Sequence, residues 1–175
     1  MRLRINTLIN GEPICEVDFS ANHLRLNLAF NGGVDAGDDP YITVGEEAGI
    51  ESRQLVKKFF TIAMGGDNEV GALHACFTQG VSKENFQKLK DASLKIFPKL
   101  ELFNGWGIYA QNFEGQILKN VMLEGVKEGI VCLPVHDAVA VPLDHIGWAC
   151  EEMRYQWDKQ MSVSGLARVT TDIPA

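Results

Sequence analysis

The sequence predicts an α+β fold, a small antiparallel sheet packed by helices, and three observations carry that expectation. Residues 3–9 and 14–19 are β-prone runs on either side of Asn10-Gly11, a dipeptide that favours a tight hairpin. Residues 131–142 (Val-Cys-Leu-Pro-Val-His-Asp-Ala-Val-Ala-Val-Pro) hold two more such runs, which meet at His136-Asp137 and end at Pro142. The chain between and after these hairpins repeats its apolar residues at helical spacing. With 175 residues, 46% of them hydrophobic, the chain can bury a core as one domain spanning 1–175.

Each element follows from local chemistry. After the first hairpin, Ser20 is a candidate cap for a helix over 21–30, which Asn31-Gly32-Gly33 stops. A loop rich in Gly and Asp leads to Asp39-Pro40, where Asp as cap and Pro at the first position predict a short helix. Ser52 caps a longer helix reaching about Met64. Its apolar arc is Leu55, Val56, Phe59 and Ala63, and Arg53, Lys57 and Thr61 form a separate stripe at i, i+4, i+8. Gly65-Gly66 breaks it. Residues 67–110 read as mostly helical, with Ser82 as a cap, Phe86, Leu89 and Phe97 as core and Pro98 as a break. A long helix over 106–127 runs into Gly129 and the second hairpin. Leu143, Ile146, Cys150, Met153, Trp157 and Met161 then follow helical spacing, and 166–173 closes as a strand.

Charge and cysteine usage limit the function classes. Sixteen Lys and Arg against 23 Asp and Glu leave a net charge of -7, which argues against a high-affinity nucleic-acid binder driven by counterion release alone. Acid-rich metal sites push the total the same way. Cys15, Cys76, Cys132 and Cys150 form no Cys-x-x-Cys pair and show no zinc-like spacing, which predicts reduced thiols and a cytoplasmic protein. Strand alternation puts Cys15 and Cys132 on the face opposite Asp18 and Asp137, into an apolar layer. No leader peptide or bilayer-length apolar run is visible, so no membrane partner is expected.

The residues that carry chemistry are acids. The run 14–19 and the hairpin at 136–137 each deliver one carboxylate, Asp18 and Asp137, from an apolar strand. A buried, unpartnered Asp would cost several kcal/mol, roughly, so both should face water or a cation. Two such acids on neighbouring antiparallel strands suit a two-metal centre, in which ions about 3.5–4 Å apart clamp both ends of a displacement at phosphorus. Arg53 and Lys57 on one helix face suit a phosphate chain.

In order along the chain, three stretches resemble the signatures of family A DNA polymerases. Asp18-Phe19-Ser20-Ala21-Asn22-His23-Leu24-Arg25 resembles their motif A, usually Asp-Tyr-Ser-Gln-Ile-Glu-Leu-Arg. Arg53-x-x-x-Lys57, with Gly66 following, resembles motif B on the fingers helix, and Val135-His136-Asp137-Ala138 resembles motif C, usually Val-His-Asp-Glu. Gln111, followed by Gly115-Gln116-Ile117-Leu118-Lys119, resembles the glutamine-bearing helix on the template side. The resemblance implies a palm-like sheet with a helical, fingers-like part over about 40–110. It implies that Asp18, Asp137 and the Phe19 carbonyl hold Mg²⁺ (or Mn²⁺). Arg53 and Lys57 would meet the triphosphate of a dNTP, His23 would stand near its sugar, and His136 and Gln111 would face a DNA primer-template.

The departures from the pattern are equally specific. His23 stands where the family has a Glu that packs against the sugar, and Ala138 where it has a second acid. Thr61 and Gly65 stand where it has an aromatic and a tyrosine. Little chain precedes motif A. The expectation is therefore either a reduced, stand-alone palm-and-fingers protein or the C-terminal piece of a longer phage- or plasmid-type protein. Its partners would be further replication proteins or a missing N-terminal thumb, in a bacterial host or phage setting. Three functions compete: template-directed nucleotidyl transfer, a catalytically weak nucleic-acid-binding or replisome module, and a two-metal nuclease or phosphatase. The last does not account for Arg53 and Lys57 or for the order of the motifs.

Overall fold

The computed structural model describes residues 4–174. Its α+β architecture matches the expectation: seven α-helices and one curled antiparallel sheet among the described residues. By contacts the chain divides into two compact units, Met1–Asn22 with Asn112–Ala175, and His23–Gln111. The first carries the sheet and the second is helical.

In the sheet unit, β1 (Leu8–Ile9) turns through Asn10 (φ 53) and Gly11 (φ 86) into β2 (Glu12–Phe19). Both turn residues have positive φ, which is why Asn-Gly is the sequence found there. Strand β2 pairs antiparallel with β4 (Ala138–Pro142) and with β5 (Val169–Asp172), and β4 pairs with β3 (Leu133–Val135). The expected first strand is mostly absent. Residues Arg4–Asn6 form a 3-10 turn instead, and Leu3 lies outside the described residues. Pro13, opposite Leu8, has no amide to donate to the ladder. Ile5 is buried in a cluster with Ile9, Ile14 and Ala140, so its hydrophobic burial is met without strand pairing.

The long helix α6 (Trp106–Glu128) and the last helix α7 (Ile146–Met161) complete this unit, the division falling within α6 after Gln111. Helix α7 packs on β2, β4 and β5. Its Ala149, Met153 and Trp157 are fully buried, as are Cys15, Val17, Val139 and Val141 of the strands. Gly125 of α6 lies where an added Cβ would come within 3.0 Å of the Ile130 carbonyl and 3.3 Å of the Trp148 ring. Only hydrogen fits there without a shift.

The helical unit begins with α1 (Asn22–Phe30), which is buried from Leu24 to Ala29. It starts later than expected. Ser20 does not precede it directly, because the Ser20 amide donates to the Arg168 carbonyl at 2.8 Å and Ala21 takes a positive φ of 51 before the helix opens. The capping residues read from the sequence do hold α2 (Pro40–Ala48), α3 (Arg53–Gly65) and α5 (Lys83–Ile96). Asp39 accepts from the Tyr41 and Ile42 amides, Ser52 from Leu55 and Ser82 from Asn85. Between α3 and α5, α4 (Glu69–Thr78) is capped by Asn68. Phe59 packs edge-on against Phe60 at 5.5 Å and Phe86 at 5.4 Å, with Tyr41 5.7 Å from Phe60. Such ring pairs add roughly 0.5–1.5 kcal/mol each beyond area burial.

Candidate functional site

The sheet unit brings Asp18, Phe19, His136 and Asp137 to one end of the sheet. Asp18 sits opposite Ala138 in the β2–β4 register, and one step on, the Phe19 amide donates to the Asp137 carbonyl at 3.4 Å. Val135 pairs with Ala138, so His136 and Asp137 are the two residues of a tight hairpin turn. His136 carries a φ of 55 there, a conformation that L residues adopt rarely and glycine readily. In an antiparallel strand the N–H and C=O of one residue leave on the same side. The Phe19 carbonyl therefore emerges on the hairpin side of β2, as its amide does.

Asp18 is exposed while Cys15, three residues earlier and so on the opposite face of β2, is fully buried. Ile14 and Glu16, on the face of Asp18, are buried too, so only the end of that face reaches solvent. Asp137 is half-buried and His136 exposed. Cys15 keeps its proton: burial pushes its thiol up to about 11, with the neighbouring Cys150 adding to the effect and backbone hydrogen bonds opposing it. Cys132 differs from the expectation, since it lies just before β3 and is only half-buried. Strand alternation therefore does not set its direction. Burial still raises its thiol to about 11.

The donor set of the acidic end is two carboxylates and one carbonyl, all hard oxygens of the kind that Mg²⁺ and Mn²⁺ take. Among the described residues, no three or more His, Cys, Asp or Glu side chains gather in a metal-holding arrangement. A centre here would thus rest on two side chains, with remaining ligands from backbone, solvent or substrate, which is common for Mg²⁺. Ala138, buried at the start of β4, supplies no third acid.

The other sequence-derived residues lie in the helical unit. His23 is half-buried in the first turn of α1, and its carbonyl accepts the Trp106 indole N–H at 3.0 Å. Gln111 is exposed on α6. Arg53 and Lys57 are both exposed and four residues apart on α3, so they share a face. Thr61, the next residue of that stripe, is exposed and donates its hydroxyl to the Lys57 carbonyl at 3.0 Å.

Arg53 also has a partner that its sequence position does not reveal. Its Nε donates to Asp39 Oδ2 at 2.6 Å, and its guanidinium lies 5.2 Å from the Tyr41 ring centroid. Burial works against charge on Asp39, but the Arg53 hydrogen bond, the Ile42 and Tyr41 amides and the Arg53 charge hold its carboxyl below the usual carboxylate range. Tyr41, Ile42, Gly45, Glu46, Ile50 and Arg53 line an open cavity of about 540 Å³. Glu46 and Glu51 at this cavity disfavour an anion inside it.

Arg25, the last residue of the motif A stretch, is buried and holds a loop. It donates to the Gly37 carbonyl at 2.7 Å and the Asp38 carbonyl at 2.9 Å, and lies 3.7 Å from Asp35. The loop that delivers Asp39 to α2 is thereby tied to α1.

A scan of the chain against protein-family models finds no match, and neither does a comparison with curated proteins. No helix among the described residues is long and apolar enough to cross a membrane.

Proposed function

We propose that the chain performs template-directed nucleotidyl transfer with a two-metal mechanism, as a reduced relative of family A DNA polymerases. The observation that carries the reading is the register: Asp18 opposite Ala138, with Asp137 next in the hairpin turn. Two acids from segments about 120 residues apart in sequence thus stand at the same end of the sheet, which supports the reading.

In this reading Asp18, the Phe19 carbonyl and Asp137 would hold Mg²⁺ or Mn²⁺, which when bound would stabilise charge on the transferring phosphoryl group. The chain's own residues position the reactants. Arg53 and Lys57 supply positive charge for the triphosphate of an incoming dNTP, and His136 stands where the primer end would lie. His23 would stand near the sugar and Gln111 would face the template DNA. Most of the acceleration would come from positioning and charge complementarity.

The test is primer extension with Mg²⁺ or Mn²⁺ on the wild type, Asp18→Asn and Asp137→Asn. Extension by the wild type and its loss in both variants is the expected result. Extension that persists in either variant ends the two-metal account. The second reading, a nucleic-acid-binding or replisome module with weak or no catalysis, is favoured by the net charge of -7. Wild-type binding to primer-template without extension would select it.

A further inference from the structure

We infer that Asp39 is a positioning residue that presents Arg53 to a polyphosphate; this rests on the phosphate role of Arg53 in the proposed function. The Asp39 carboxylate is divided between two tasks. Oδ1 accepts from the Tyr41 and Ile42 amides at 3.0 and 3.2 Å, which fixes the carboxylate to the N-terminus of α2. Oδ2 accepts from Arg53 Nε at 2.6 Å. The contact uses the inner nitrogen of the guanidinium. Neither terminal nitrogen has a hydrogen-bond partner among the described residues, and the Arg53 side chain is 45% exposed.

An arginine binds phosphate best through its terminal nitrogens, as a fork. A free arginine must give up much rotamer freedom to present that fork. Arg53 has already given it up. Its inner nitrogen is bonded, its central carbon lies over the Tyr41 ring, and its backbone sits at the start of α3 behind the Ser52 cap. Pre-organisation of this kind raises affinity by lowering the cost of binding. Two effects oppose this: the Asp39 charge partly neutralises the guanidinium, and Glu46 and Glu51 border the cavity that Arg53 lines, so the polyphosphate is taken on the exposed face of α3 shared with Lys57 rather than inside that cavity. Because the carboxylate is held by two amides of another helix, it cannot follow Arg53 outward and compete for the fork. Lys57, one turn along α3, adds a second charge on the same face.

Nothing local in the sequence marks this pairing. Asp39 reads as a helix cap, which it is. The second task of its carboxylate appears only when α2 and α3 pack together.

The experiment titrates inorganic tripolyphosphate, with Mg²⁺, into the wild type, Asp39→Asn, Arg53→Lys and the double variant by calorimetry. Asn caps a helix about as well as Asp, so the fold should be kept; Asp39→Ser, also a good cap, is the second variant. The expected result is binding weakened about tenfold in each single variant, with the double variant no weaker than Arg53→Lys by more than about twofold, because both changes remove one coupled unit. In primer extension the same Asp39→Asn change should raise the KM for dNTP with kcat nearly unchanged. Equal or tighter tripolyphosphate binding by Asp39→Asn overturns the inference, and so do strictly additive losses or no binding by the wild type. Coupled binding without primer extension would instead sink the polymerase reading and leave the Asp39–Arg53 site standing.

Discussion

The indole N–H of Trp157 donates to Asn22 Oδ1 at 2.8 Å, and Asn22 Nδ2 donates in turn to Glu114 Oε1 at 2.8 Å. Three segments far apart in sequence, at Asn22, at Glu114 of α6 and at Trp157 of α7, are thereby joined. Trp157 is fully buried and Asn22 is 4% exposed, so neither group can turn to water instead.

Asn22→Ala removes the acceptor of that indole and leaves a buried N–H unsatisfied. Such a loss costs about 1–3 kcal/mol. Urea denaturation should show a lower midpoint with an unchanged slope. Trp157→Phe should lose as much or more, since it also opens space in the core. A midpoint unchanged in Asn22→Ala would mean that the amide is not holding these segments together.

Arg25 makes a second prediction. Its guanidinium is 2% exposed and is spent on the Gly37 and Asp38 carbonyls. Arg25→Met keeps the apolar stem but releases the loop, at a cost of about 2–3 kcal/mol, since hydrogen bonds to a charged group are the stronger ones. Hydrogen exchange should speed up at residues 34–38 before it changes in α3. Uniform acceleration across the helical unit would indicate general destabilisation instead.

The thiols predict a pH dependence. Burial raises Cys15, Cys76 and Cys132 to about 11, above the ordinary thiol value of 9.0. The folded state therefore binds more protons than the unfolded state between these values, so stability falls as pH rises through that window and is independent of these groups below it. Urea midpoints should hold between about pH 7 and 8 and decline from about 9 to 11. Cys76→Ala should flatten part of the decline. Below pH 8 a thiol reagent should modify Cys15 and Cys76 only at the rate of unfolding, because a protonated and buried sulfur is inert.

Sugar selection supplies the last prediction, conditional on polymerase activity. His23 and Thr61 stand where the family pattern has Glu and an aromatic, and Thr61 is exposed with its hydroxyl turned to the Lys57 carbonyl. Little volume is left to exclude a 2′-hydroxyl. The kcat/KM ratio of deoxy- to ribonucleotides should lie within about tenfold, as a pocket lacking a steric filler discriminates weakly. His23→Glu should raise it. A wild-type ratio of several thousand would show that another side chain does the filling.

Local chemistry was legible in the sequence wherever it acts over a few residues. Asp39, Ser52 and Ser82 cap the helices they were read to cap, because a side-chain oxygen reaches an amide two or three residues on whatever the rest of the chain does. Asn10-Gly11 turns for the same reason, its positive φ values being a property of those two residues. The acids at 18 and 137 and the basic residues at 53 and 57 were visible as motif positions.

What only the tertiary structure decided is pairing across distance. The first strand shrinks to Leu8–Ile9 because Ile5 finds burial beside Ile14 and Ala140, a contact that no local pattern encodes. The partner of Arg53 is decided by how α2 packs on α3, and the partner of Asn22 by how α7 lies on the sheet. The same holds for the juxtaposition of Asp18 with the Asp137 turn. It depends on the register between β2 and β4, which a slip of one residue would invert, and that register is set by the buried faces of strands lying more than a hundred residues apart.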